Sequence, residues 1–185
     1  DVRLEGYNNQ GHFEDQIDFS IPAGNQHTGA LDDFDLKKGW LRILSDQPLA
    51  GVFFLGTSGH AGLLAAHNLI DFTSTHLYFP HVSQNSVWDT EVFICNPNTM
   101  TTEIVFIFVD HEGRRRKCRV AEIPPMGSVQ YKLQNLLKGE EFNHGSLEIQ
   151  SNSGIAAFAI MQNIKSGAMS YTVLRSLNFL RSSSF

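Results

Sequence analysis

GWLRILSDQPLAGVFFL at residues 39–55 and GSLEIQSNSGIAAFAIM at residues 145–161 follow one pattern: glycine, alternating apolar residues, a polar turn opening on serine, then a second apolar run. Alternation over four to eight residues marks a half-buried strand, and a short apolar run bounded by turn residues marks a strand buried on both faces. The likeness continues outward. RLEGYNNQG (3–11) lies over VFIFVDHEG (105–113), and Ile21-Pro22 over Ile123-Pro124. The offset is 102 residues at Arg3 and Val105 and 106 at Gly39 and Gly145, after an insertion near residues 138–141. A period that long exceeds a solenoid unit and fits a small domain.

Strand signals dominate the second copy. HLYFPH (76–81) and TEVFICNPN (90–98) come first, followed by a hairpin made of TEIVFIFVDHEG (102–113) and the alternating RRRKCRVAEI (114–123). GSVQYKL (127–133), GSLEIQSNS (145–153), GIAAFAIMQN (154–163) and AMSYTVLRSL (168–177) complete about eight strands at sandwich spacing. The expected fold class is therefore all-β: two related antiparallel β-sandwich (immunoglobulin-like) units, residues 1–70 and 71–185. The first unit is incomplete at its N-terminus, because nothing in it matches HLYFPH or TEVFICNPN. Helix is expected at most as a turn near residues 31–38 and 133–138. A sandwich lacking two strands exposes hydrogen-bonding edges. Three sources could cover them: upstream sequence, the segment at 178–185, or a neighbouring molecule.

Composition narrows the function classes. With 42 % hydrophobic and 18 % charged residues the chain has the balance of a folded domain, and fourteen Phe with fifteen Gly suit short, turn-rich strands. No apolar run approaches the roughly 18 residues of a membrane helix, so no membrane span is expected in this chain. A start at Asp1 without a signal-like segment reads as a mature or excised fragment. The net charge of -5 argues against a nucleic-acid partner. Cys95 and Cys118 do not form a CxxC pair, which excludes a four-Cys zinc site and leaves free thiols and a disulfide both open.

LYFPHVSQNSVWDTEVFICNPNTMTTEIVFIFVDHEG (77–113) carries a further pattern. Tyr78, Phe79, Pro80 and His81, then Trp88 and Thr90, Asn96 and Pro97, and Asp110 and Gly113 fit a succession YFPH, W-x-T, NP and D-x-x-G, and SDQPLAG at 45–51 fits its end. This resembles the tandem β-sandwich repeats of bacterial extracytoplasmic proteins, secreted or displayed at the cell surface. The resemblance implies a noncatalytic structural or adhesive module, a protein or cell-surface partner and an extracytoplasmic location. Two departures, SNSGIAA in place of SDQPLAG and NNQG in place of an Asp turn, weaken any metal site shared by the turn acids.

Residue chemistry is sparse. His60, His67, His76 and His81 cluster in the stretch joining the units and, with Trp88, are the candidate binding residues. Their spacings of seven and five do not make a helical zinc site, and HExxH is absent. Asp32, Asp33 and Asp35 offer oxygen ligands of the kind calcium takes but lack the alternating spacing that wraps one ion, and capping a turn explains them with less. No cofactor is expected, calcium being the one ion these acids suit. RRRK (114–117) fits a charged edge strand better than an anion-binding patch. Trp40 and Trp88 fit core or seam packing. Without a GxSxG elbow or a Cys-His arrangement, an enzyme is not expected. Two other readings stay open: a carbohydrate or small-molecule binding module with its site at the junction, and an assembly subunit that exchanges strands through an open edge.

Overall fold

Alternating aromatic and β-branched residues build strands along nearly the whole chain. The computed structural model describes residues 1–30, 34–56, 64–119, 122–172 and 175–176. The strands are β1 (Val2–Asn8), β2 (Phe13–Phe19), β3 (Gly39–Ser45), β4 (Val52–Gly56), β5 (Leu64–Asn68), β6 (Ser74–Gln84) and β7 (Trp88–Cys95). They continue with β8 (Ile104–Asp110), β9 (Arg115–Arg119), β10 (Ser128–Lys132), β11 (Phe142–Asn163), β12 (Met169–Thr172) and β13 (Arg175–Ser176), with one short helix, α1 (Leu133–Leu136). The fold is all-β and its sheets are antiparallel.

β11 organises the larger, eight-stranded sheet. Its first half pairs with β6 and β8, and its second half with β7 and β12. The sheet thus curls over on itself. Where two separate strands were expected at 145–153 and 154–163, one continuous strand of 22 residues runs through. The turn-like SNSG (151–154) is the place where the strand changes partners: between Gln150 and Ile155 its register with β6 shifts. Ser153 there bonds Thr102 and accepts the Asn98 side-chain amide. In the first copy the same place holds SDQP, and Pro48, which has no amide to give a ladder, separates β3 from β4. The single strand expected over 168–177 is two short ones, β12 and β13.

Pro80 would be out of place inside a paired strand, but it sits in a bulge: Val82 faces Gly145 and Phe79 faces Leu147, so that Pro80 and His81 together stand against the single residue Ser146. The bulge resets the alternation. Phe79 and Val82 consequently both point into the core, where they meet Leu77, Ile94, Phe106, Phe108, Leu147 and Ile149, all 0–2 % exposed. Leu133 and Leu137, on and just beyond α1, close one end of this core.

The described residues of the stretch 1–68 repeat the larger sheet's pairings in reduced form. β1 and β3 pair from Val2↔Ser45 to Asn8↔Gly39, and β8 and β11 pair from Ile104↔Ser151 to Asp110↔Gly145, the same pairs at the two sequence offsets. β4 with β5 likewise matches β11 with β12: Phe53↔His67 stands where Ala159↔Thr172 does. The glycine opening each quoted stretch has one steric cause. A Cβ on Gly39 would lie 1.9 Å from the Tyr7 carbonyl oxygen, and one on Gly145 would lie 2.4 Å from the corresponding oxygen of Val109. Among the described residues the first part has no counterpart of β6, β7 or β10. Nor is a helical turn present over 34–38; instead Phe34 packs on Gly6, where a Cβ would come within 2.6 Å of its ring. Residues 31–33 and 178–185, on which expectations also rested, lie outside the described residues.

Candidate functional site

The polar residues of the YFPH-to-DxxG pattern hold turns. Thr90 is fully buried; its Oγ1 accepts the Ser83 amide at 3.0 Å and donates to the Ser83 carbonyl at 2.9 Å, locking β6 to β7. Within the same turn Asn85 Oδ1 accepts the amides of Val87 and Trp88. Asn96, also fully buried, donates from Nδ2 to the carbonyls of Met100, Ile123 and Pro124 at 2.8–3.2 Å, while its Oδ1 accepts the Asn98 amide. Buried amides so completely paired act as struts.

Asp110 shows what the turn acid does. Its Oδ1 accepts the amides of Glu112 and Arg114 at 3.0 and 2.9 Å, and Gly113 follows at φ +80°. At the matching place in the first part, Asn8 Oδ1 accepts the amides of Gln10 and His12 at 2.9 and 3.0 Å, and Gly11 sits at φ +85°. An uncharged amide performs the same task as the carboxylate. The Asn-for-Asp departure is therefore a substitution within one side-chain-to-backbone turn, and the charge is dispensable to it. The Arg114 side chain, hydrogen-bonded to Asp110, holds that carboxyl below the usual carboxylate range.

The candidate binding residues are spread over several elements. His67 on β5 stacks on Phe53, packs near Phe158 and has its Nδ1 2.6 Å from the Asn68 carbonyl. His76 and His81 lie on β6 five residues apart, about 16 Å along a strand. His76 contacts Thr75 and His81 stacks on His144. Trp88, half-buried, opens β7 opposite Asn163. His60 lies outside the described residues, as do Asp32 and Asp33. Among the described residues no group of three His, Cys, Asp or Glu side chains is placed to hold a metal ion.

Trp40 lies at a seam. Its Nε1 donates to the Met126 carbonyl at 2.7 Å and its ring stacks on Tyr7. Ser128 completes the contact, its amide donating to the Asn9 carbonyl and its hydroxyl to Asn9 Oδ1. Gly11 allows this approach, since a Cβ there would fall 1.8 Å from the Pro125 carbonyl oxygen. Gly11→Ala should then cost about 1–2 kcal/mol for the left-handed backbone alone, with the collision in addition. The expected readout, in a Trp88→Phe background, is a red shift of Trp40 emission as the seam opens; an unshifted spectrum contradicts it.

The three arginines of the basic run are paired with carboxylates. Arg114 pairs with Asp110 and Glu112, Arg115 with Glu148 and Arg116 with Glu140. These arginines line a depression of about 200 Å³ together with Phe108 and Phe142. β9, which carries Arg115 and Arg116, pairs among the described residues only with β8 and is a charged edge. Cys95 and Cys118 are free thiols. Burial pushes Cys95 up to about 11. Because the unfolded thiol ionises at lower pH than the folded one, the stability contributed by keeping Cys95 protonated is full below pH 9 and is lost as pH rises toward 11. Chemical denaturation between pH 8.5 and 11 should show that fall, and Cys95→Ala should flatten it.

A feature that the sequence reading passed over is apolar exposure. Among the described residues, seven of the nine exposed large hydrophobic side chains lie between Phe13 and Phe72, among them Ile43 at 37 %, Leu49 at 43 % and Phe54 at 62 %. Their counterparts at the two sequence offsets, Ile149, Ile155 and Ile160, are 0–9 % exposed. A sequence signal existed: apolar residues in the core pattern of a unit lacking two of its strands.

No family model and no curated protein matches this chain. Among solved structures it is similar to the crystal structure of Thermotoga maritima 1070, at 17 % identity and a TM-score of 0.46, over 54 % of this chain and 93 % of that one. It is also similar to the Anabaena sensory rhodopsin transducer, at 13 % identity and a TM-score of 0.41, over 62 % of this chain and 96 % of that one. Neither likeness bears on function.

Proposed function

We propose that this chain is a noncatalytic structural or adhesive module of an exported bacterial protein, built from tandem β-sandwich repeats. What supports the reading is the use made of its polar residues: Thr90, Asn96 and Asp110 are engaged with backbone groups. Asn8 stands in the place of Asp110 in the equivalent turn and keeps both backbone bonds. A module of this kind works through its surface and edges, presenting them on stiff sheets to a protein or cell-surface partner. No helix among the described residues is long and apolar enough to cross a membrane.

Two measurements test the two halves of the reading. Fractionation of the source bacterium with an antibody to this chain should place the antigen in the envelope or the medium, and a cytosolic antigen refutes export. Beads coated with the chain should be retained on surfaces bearing cell-envelope material. Retention equal to that of uncoated beads removes the adhesive role.

A further inference from the structure

We infer that the outer edge of β3, continued by β4, is an acceptor for a β-hairpin of the β6–β7 kind, carried by a segment with that sequence pattern that has no sandwich of its own to complete. The inference deepens the module reading by naming the class of partner. It stands on the matching registers. In the larger sheet, the half of β11 equivalent to β3 is paired on both sides, by β8 and by β6. β3 is paired with β1 alone among the described residues, and β4 with β5 alone.

The free edge has a definite polarity. Asp46 donates its amide to Asp1 across the β1–β3 ladder, so by antiparallel alternation Leu44 and Arg42, registered with Arg3 and Glu5 two and four residues on, also direct their backbone groups toward β1. The alternation puts the even-numbered residues on the β1 side. The amides of Leu41 and Ile43 therefore face outward. At the matching places, Leu147 stands opposite Phe79 and Ile149 opposite Leu77, and all four side chains are fully buried. A donor added to β3 in the same register brings a leucine opposite Ile43 and a phenylalanine opposite Leu41. It covers the apolar face whose exposure has no counterpart in the larger sheet. A swap of β6–β7 from a second copy gives no such gain, because it empties the donor's own core of Leu77, Phe79, Val92 and Ile94. Strand addition of this kind draws affinity from main-chain bonds and selectivity from alternate side chains.

The test uses the intact chain and a synthetic peptide of residues 74–97 carrying Cys95→Ser. Expected is saturable one-to-one binding with slowed hydrogen exchange at the amides of Leu41 and Ile43, by about 100-fold at a peptide concentration 100 times Kd. Ile43→Lys, at a site already 37 % exposed, should fold normally and lose the binding. Three results overturn the inference: no binding, binding that leaves those two amides unchanged, or amides already protected before peptide is added, whether in a monomer or in a dimer paired through β3. Because none of these arms depends on export or bead retention, failure here and failure of the module reading remain distinguishable.

Discussion

Phe79→Ala should lower the stability of the β6–β13 sandwich by about 3–5 kcal/mol, enough to move the midpoint of thermal unfolding down by at least about 12 °C in a unit of this size. The size of the effect comes from position. Phe79 is 0 % exposed, stands opposite Leu147 and immediately precedes the bulge at Pro80. Removing the ring leaves a cavity against β11, and the bulge restricts how far β6 can move to fill it. Phe13→Ala, at a side chain 54 % exposed, removes the same atoms from the surface and should lower stability by no more than about 0.5 kcal/mol. Calorimetry of both variants decides the matter: equal losses would mean that the Phe79 site is not the core described.

Asn96→Ala is expected to cost about 1–3 kcal/mol, since it removes a buried side-chain donor from three carbonyls, of which those of Ile123 and Pro124 keep the backbone amides of Thr102 and Gly127. The three acceptors belong to Met100, Ile123 and Pro124, which lie on two separate loops, and Thr102 and Ile123 bridge those loops with reciprocal backbone bonds. One side chain therefore joins the end of β7 to the entry of β10. Asn96→Asp should be worse still at neutral pH, because a carboxylate would face those same carbonyl oxygens, and acidification should recover part of the loss. Urea midpoints for the two variants at pH 7 and pH 5 check both statements. A loss below about 1 kcal/mol for the alanine variant would reduce Asn96 to an ordinary turn residue.

Where local pattern decided structure, it could be read from residues alone. The β8–β9 hairpin follows from its aromatic and β-branched run ending in DHEG, and α1 falls within the segment expected to turn. β11 could not be read that way: SNSG has turn composition, but long-range partners on both sides carry the strand straight through it. The turn expected near 31–38 gave way over its described part to a tertiary contact, the Phe34 ring filling the space above Gly6. Candidate site residues were chosen for chemical type and closeness in sequence, yet His67 belongs to a hairpin resting against Phe158 whereas His76 and His81 belong to a core strand. Histidine spacing contains nothing about which sheet each strand joins. The exposed face around Ile43 was implicit in the missing strands, but its extent depends on three-dimensional covering that periodicity does not encode.

The 22 residues of β11 belong to both halves of the curled sheet. Neither half can then melt and leave the other intact, for the opening of one removes a strand from its neighbour. Residues 74–163 should behave as one cooperative unit, with protection rising and falling together, while the three strands at the N-terminus, joined to it through the Trp40 seam, open on a schedule of their own. A chain with that division keeps its larger frame closed while its smaller sheet comes and goes.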